Sequence, residues 1–170
     1  MGGRGEDDDE NALATVEVYS PKTNSWRSCT PMSQRRYGAV AGVVGGRLVV
    51  ARGYGGDDGG RLTSVEAYTP TGWTPLPPLP HAADAAAACV LNGRLYVAGG
   101  AGSCRLQMFD GTAWSVKADL PAQRHDAASV AHEGKIWLIG GMSDGNAQSS
   151  SVFIYDIDAD SWGAGPVLPR

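Results

Sequence analysis

The feature that most constrains this chain is its internal period. Tryptophans at Trp26, Trp73, Trp114 and Trp162 are separated by 47, 41 and 48 residues, and an aromatic stands five or seven residues before each: Tyr19, Tyr68, Phe109 and Tyr155. Upstream lies a short apolar run ending in glycine, RLVVARG (47–53), RLYVAGG (94–100) and KIWLIGG (135–141). Sixteen residues before the second residue of each run comes Met32-Ser33, Leu79-Pro80 or Leu120-Pro121, and Leu168-Pro169 opens another copy. Three markers in one phase define a repeat of 40–50 residues, the length of one small supersecondary unit.

Each unit reads as four strands. Strand A is a run of small apolar residues and strand B is the run ending in glycine. Gly45-Gly46, Asn92-Gly93 and Glu133-Gly134 lie between them, two-residue links suited to a hairpin whose central residues need positive φ. Strand C ends in the aromatic and strand D carries the tryptophan. Reversal residues separate C from D, among them Pro21, Asn24, Pro70, Gly72, Asp110, Gly111, Asp156 and Asp158. The alanines 85–88 favour helix by propensity, but the aligned copies contain valine and glycine, and so short a helix is not stable alone. Glycine (24) and proline (10) make up a fifth of the 170 residues, as expected for short strands and tight turns.

This pattern resembles the Kelch repeat family. The resemblance runs from the paired glycines through the Tyr and Trp spacing to the Leu-Pro element, and the segment 32–40 is most similar to the blade openings of Kelch-like BTB adaptor proteins. It implies an all-β, Kelch-type β-propeller with three complete four-stranded blades plus part of another, an incomplete ring. The expected divisions are 1–26 as the end of one blade, 27–73, 74–114 and 115–162 as three blades, and 163–170 as the start of the next. One departure is Arg52, which replaces the first glycine of its pair and is expected to weaken the turn.

Met1-Gly2-Gly3 falls where strand B of an earlier blade would end, since Gly2 lies 24 residues before Trp26 and Gly140 lies 22 before Trp162. The chain is therefore expected to begin inside a longer propeller, with the following acidic stretch as a blade loop. An acidic tail ahead of the repeats is the other reading. A partial ring leaves two blade faces wet, so the missing blades are expected from a longer chain or an associated chain.

In a four-stranded meander the D-to-A and B-to-C connections share one face, and loops on a rigid scaffold are where function is sought. Arg36 and Arg124 fall there, with Ala83 in the middle copy. The B-to-C loops add Arg4 and an acidic run, then Tyr54, Asp57, Asp58 and Arg61, then Met142, Ser143, Asp144 and Asn146. An arginine fork suits carboxylate-bearing peptides, although arginines on such a rim can equally pair with neighbouring loop acids. In the Kelch-like adaptors, residues before strand A and after the glycine pair touch the target protein. The resemblance thus implies Arg4, Arg36, Tyr54, Arg124, His125, Met142 and Ser143 as partner-binding residues. The aromatic and tryptophan series is expected to pack the blades.

Other chemistries find little support. Net charge is −4 with no basic stripe to track phosphates, which points away from nucleic acid. No run of about 18 apolar residues could span a membrane. Asp156, Asp158 and Asp160 imitate a calcium loop, but Ser161 stands where its glycine belongs and Val167 where its glutamate belongs, so they read as a turn. The histidines lack metal-ligand spacing and no phosphate loop is present, so no cofactor, metal or catalytic residue is assigned. Cys29, Cys89 and Cys104 fit a reducing compartment, and a cytoplasmic location is expected. The function that the resemblance implies is that of a protein-protein interaction module, recognising substrates for a ubiquitin-ligase adaptor. Actin or cytoskeleton binding, or a fragment of a Kelch-fold enzyme, are the alternatives that the family offers.

Overall fold

The computed structural model describes residues 2–3, 12–55 and 59–169. The strands in chain order are β1 (Val16–Ser20), β2 (Ser25–Cys29), β3 (Arg36–Tyr37), β4 (Val40–Val44), β5 (Arg47–Ala51), β6 (Tyr54–Gly55), β7 (Gly60–Arg61), β8 (Val65–Thr69) and β9 (Gly72–Leu76). They continue with β10 (Ala87–Leu91), β11 (Arg94–Ala98), β12 (Leu106–Phe109), β13 (Trp114–Lys117), β14 (Ala128–His132), β15 (Lys135–Ile139), β16 (Val152–Asp156) and β17 (Ser161–Ala164). All pairings are antiparallel between neighbours. β4-β5-β8-β9, β10-β11-β12-β13 and β14-β15-β16-β17 form three four-stranded sheets, here blades II, III and IV, and β1-β2 forms the two-stranded blade I. The innermost strands β4, β10 and β14 lie side by side, and the ring is not closed among the described residues.

Local chemistry explains these boundaries. The A-to-B links of blades II, III and IV adopt positive φ at both residues, 56° and 75° at Gly45-Gly46, 50° and 71° at Asn92-Gly93, 50° and 72° at Glu133-Gly134. This is the turn whose twist matches the flanking strands. The alanine run is not helical: Ala85 takes φ 52° and the strand starts at Ala87. Asp110 and Asp156 cap the C-to-D turns, accepting at Oδ1 from the amides of Thr112 and Ala113, and of Asp158 and Ala159, respectively. The aspartates that imitate a calcium loop are thus turn residues.

The core lies between blades. Val40, Val49, Ala51, Val65 and Ala67 of blade II pack with Leu95, Val97 and Phe109 of blade III. Ala87, Tyr96, Leu106 and Met108 of blade III pack with Ile136, Leu138 and Tyr155 of blade IV. At the outer edge each tryptophan stitches its strand to the linker entering its blade: the Nε1 of Trp73, Trp114 and Trp162 donates to the carbonyl of Thr30, Pro77 and Ala118, each at 2.9 Å. Trp26 departs from the expected packing role. It is 67% exposed and stacks only on Tyr19, with ring centroids 5.3 Å apart, because no preceding linker meets it among the described residues.

Two outcomes follow. Trp114→Phe, which removes the indole bond to the Pro77 carbonyl, should cost about 1 kcal/mol in urea unfolding, while Trp26→Phe should change stability by less than about 0.5 kcal/mol. The amides of Ala113 and Thr112 and the Thr112 hydroxyl hold the Asp110 carboxyl down at about 2. A carboxyl whose pKa is depressed on folding stabilises above its unfolded value near 4 and loses that contribution as pH falls through its folded value. The Tm gap between wild type and Asp110→Asn should therefore narrow between about pH 4 and pH 2.

Candidate functional site

The B-to-C and D-to-A connections do share one face. In blade II they knit into a small sheet of their own, β3-β6-β7, with Tyr37 opposite Tyr54 and Tyr54 opposite Arg61. The rings of Tyr37 and Tyr54 lie 5.4 Å apart. Blade IV repeats the arrangement in reduced form: His125 pairs with Met142, Met142 pairs with Gln148, and Ser143 starts a turn closed by its amide donating to the Ala147 carbonyl at 2.9 Å. His125 Nδ1 sits 3.0 Å from Asp126. A salt bridge of 2.8 Å from Arg61 to Asp84 joins the blade II loop to the linker entering blade III. Tyr54, His125, Met142 and Ser143 are half-buried on this face, and Arg4 lies outside the described residues.

Arg36 and Arg124 are not on the exposed rim: they are 0% and 5% exposed. Arg36 points inward and donates from Nη1 to the Arg52 carbonyl at 2.8 Å and the Ser64 carbonyl at 3.2 Å. Its Nη2 donates to Ser64 Oγ at 3.1 Å and to Glu66 Oε1 at 2.7 Å. The other carboxylate oxygen of Glu66 accepts the Ser33 amide at 2.8 Å, tying the linker to strand β8. Burial lowers the Arg36 pKa, and the charge and hydrogen bond of Glu66 oppose that shift. A guanidinium this deep needs its carboxylate, because charge without a partner is costly to desolvate.

The aligned blades solve the same problem differently. In blade IV Phe153 stands where Glu66 would be, and the Arg124 guanidinium lies over its ring, 5.0 Å from the centroid. Arg124 also donates to Ser151 Oγ at 2.6 Å and the Gln123 carbonyl at 3.1 Å, while its Nε has no partner. Pro121 replaces Ser33 there, so no linker amide is left seeking a carboxylate. In blade III, where Ala83 brings no charge, Gln107 takes the Glu66 position, accepting the His81 amide at 2.9 Å and donating to the His81 carbonyl at 3.1 Å. These residues fasten the loops from beneath.

Sequence reasoning missed Glu66 and Asp84. Glu66 carried a signal: it is the one charge on strand β8, between Val65 and Ala67 and 30 residues from an arginine that no local acid could serve. Among the described residues no cluster of three or more His, Cys, Asp or Glu could hold a metal, and no helix is long and apolar enough to cross a membrane.

Antiparallel four-stranded sheets set side by side by their inner strands, with loops gathered on one face, define the blade class of β-propeller. The Kelch motif matches residues 1–33, 35–80 and 123–164, and the chain belongs to the Kelch repeat family. It is 31% identical to mouse Kelch-like protein 35 over 163 residues, 91% of this chain and 27% of that relative. Zebrafish (Danio rerio) Kelch repeat and BTB domain-containing protein 12 is 34% identical over 109 residues, 56% of this chain and 18% of the relative. An F-box/kelch-repeat protein of Arabidopsis thaliana is 41% identical over 70 residues, 39% of this chain and 17% of the relative. The chain thus spans about a quarter or less of the length of these relatives.

Removing only the negative charge of the buried pair, as in Glu66→Gln, should lower stability by about 3–5 kcal/mol, read by chemical denaturation.

Proposed function

We propose that the chain recruits a protein partner through the face built from its D-to-A and B-to-C connections, and that it does so as the substrate-recognition part of a ubiquitin-ligase adaptor. The observation that carries the recruitment reading is the seating of these loops. They are paired to one another and pinned from below by buried arginines, so side chains at the surface are presented with little ordering left to be done on binding. Tyr54, His125, Met142 and Ser143 are the accessible members of the set, and the aromatic ring of Tyr54 and the thioether of Met142 are of the kinds enriched at interface centres. Arg36 and Arg124 serve as their supports, and Arg4 joins the set from its place in the sequence. The adaptor reading is supported by relatives whose names pair Kelch repeats with a BTB domain or an F-box.

The test compares variants on the two faces of the blades. Tyr54→Ala combined with Ser143→Arg alters the loop face, and His132→Ala, beside an A-to-B turn, alters the opposite one. Affinity capture from cells should recover a partner with wild type and His132→Ala and lose it with the loop-face variant, and depletion of the chain should lower that partner's ubiquitylation. Equal recovery from all three would reject the face, and unchanged ubiquitylation would reject the adaptor role.

A further inference from the structure

Arg52 departs from the repeat in a way that another departure explains. It stands at the first position of the glycine pair, held in the other copies by Gly2, Gly99 and Gly140, and like them it keeps positive φ, 63° against 61°, 66° and 62°. The turn expected to weaken is retained, at the cost of a left-handed residue with a Cβ. The backbone bonding is retained too: the Arg52 amide donates to the Ser64 carbonyl as those of Gly2, Gly99 and Gly140 donate to Thr15, Arg105 and Ser151.

At two junctions the absence of a side chain is used. A Cβ on Gly2 or Gly99 would lie 2.2 Å from the carbonyl oxygen of Arg36 or Arg124 in the following blade. The next amide along, of Gly3 or Gly100, donates to that same carbonyl at 3.1 Å or 2.8 Å. Arg52 carries a Cβ, so the aligned Ala83 carbonyl cannot approach as closely at the junction of blades II and III.

The side chain supplies another link. Arg52 is 1% exposed, and its Nη1 donates to the Gly99 carbonyl at 3.3 Å. Gly99 is the residue that aligns with Arg52, and the Arg52 carbonyl is the one that Arg36 serves at 2.8 Å. One carbonyl position is therefore met by a guanidinium in both blades, from the blade's own arginine in II and from the neighbouring blade in III, where that arginine is Ala83. Burial lowers the Arg52 pKa to about 10, Asp84 opposes the shift, and Arg61 adds to it.

We infer that Arg52 is a positioning residue for the loop face: delivered across the blade boundary, its guanidinium stands in for the arginine missing at Ala83 and holds the Gly99–Arg105 loop of blade III in place. That loop is tied through the Gly99 amide to the Arg105 carbonyl, the Ser103 amide to the Gly100 carbonyl, and the Ala101 amide to the Asp84 carbonyl.

Three variants of the full chain test it: Arg52→Gly, Ala83→Arg and the two combined. Arg52→Gly should lower Tm by about 5 °C even though it removes the left-handed side chain, and amide exchange at Ala101 and Ser103 should speed up about tenfold while Val130 in blade IV is unchanged. Ala83→Arg alone should also lower Tm, since two guanidiniums then compete for one carbonyl. The double variant, which gives the junction the pattern of its neighbours, should return to within about 2 °C of wild type and restore protection at Ala101 and Ser103. If Arg52→Gly does not fold, recovery of a folded chain in the double variant is the supporting result. A neutral or stabilising Arg52→Gly, or a double variant no better than the sum of its parts, or unfolded like the single, would overturn the assignment.

Discussion

A four-stranded sheet of this size has two faces and too few residues to cover either, so each blade is stable only through its neighbour. Everything else in the molecule serves that lateral contact. Val49 and Val65 meet Leu95 and Phe109 across one gap, and Leu106 meets Ile136 and Tyr155 across the next. The indole hydrogen bonds close the outer rim of each gap, and the glycine pairs at Gly2 and Gly99 let one backbone touch the next at the two junctions that flank Arg52. Hydrophobic area sets the strength of the stack, while the polar bonds at its two rims set its spacing.

Beneath the loop face the chain places groups that a hydrophobic core ordinarily excludes. Arg36 and Arg52 satisfy backbone carbonyls at the ends of strands, where the ladder of sheet bonds has stopped and the chain must turn. One blade neutralises its guanidinium with a carboxylate, one spreads it over a phenyl ring, and one does without and uses a carboxamide. Such variety at a single aligned position is what a repeat array permits, because each blade needs only a locally satisfied set of donors and acceptors. Loops anchored in this way are stiff at their feet and variable at their tips.

Much of this architecture could be read directly from the residues. The indole and glycine phases gave four strands per blade, and Asn92-Gly93 and its counterparts marked the hairpins, because both signals are local and periodic. The placement of Arg36 and Arg124 was not legible. An arginine in a polar loop segment reads as exposed, and the groups that draw these two inward, Glu66 for Arg36 and Ser151 and Phe153 for Arg124, lie some 30 residues on and in or beside another strand. The role of Arg52 was hidden for a related reason: its partner is a backbone carbonyl of the next blade, which has no identity in sequence, and the sign that remained was a substitution in one copy matched by another substitution 31 positions later. Trp26 shows the opposite limit, since the motif was recognised correctly but its packing depends on a neighbour that a motif cannot specify.

The crossing guanidinium also bears on how such an array can change over generations. Copies held together only by identical contacts can be duplicated, deleted or exchanged one at a time. Blades II and III lack that interchangeability, for a break between them separates the Arg52 guanidinium from the Gly99 carbonyl that it meets. Exchange of either blade alone would therefore cost more at this boundary than at the glycine junctions on either side of it.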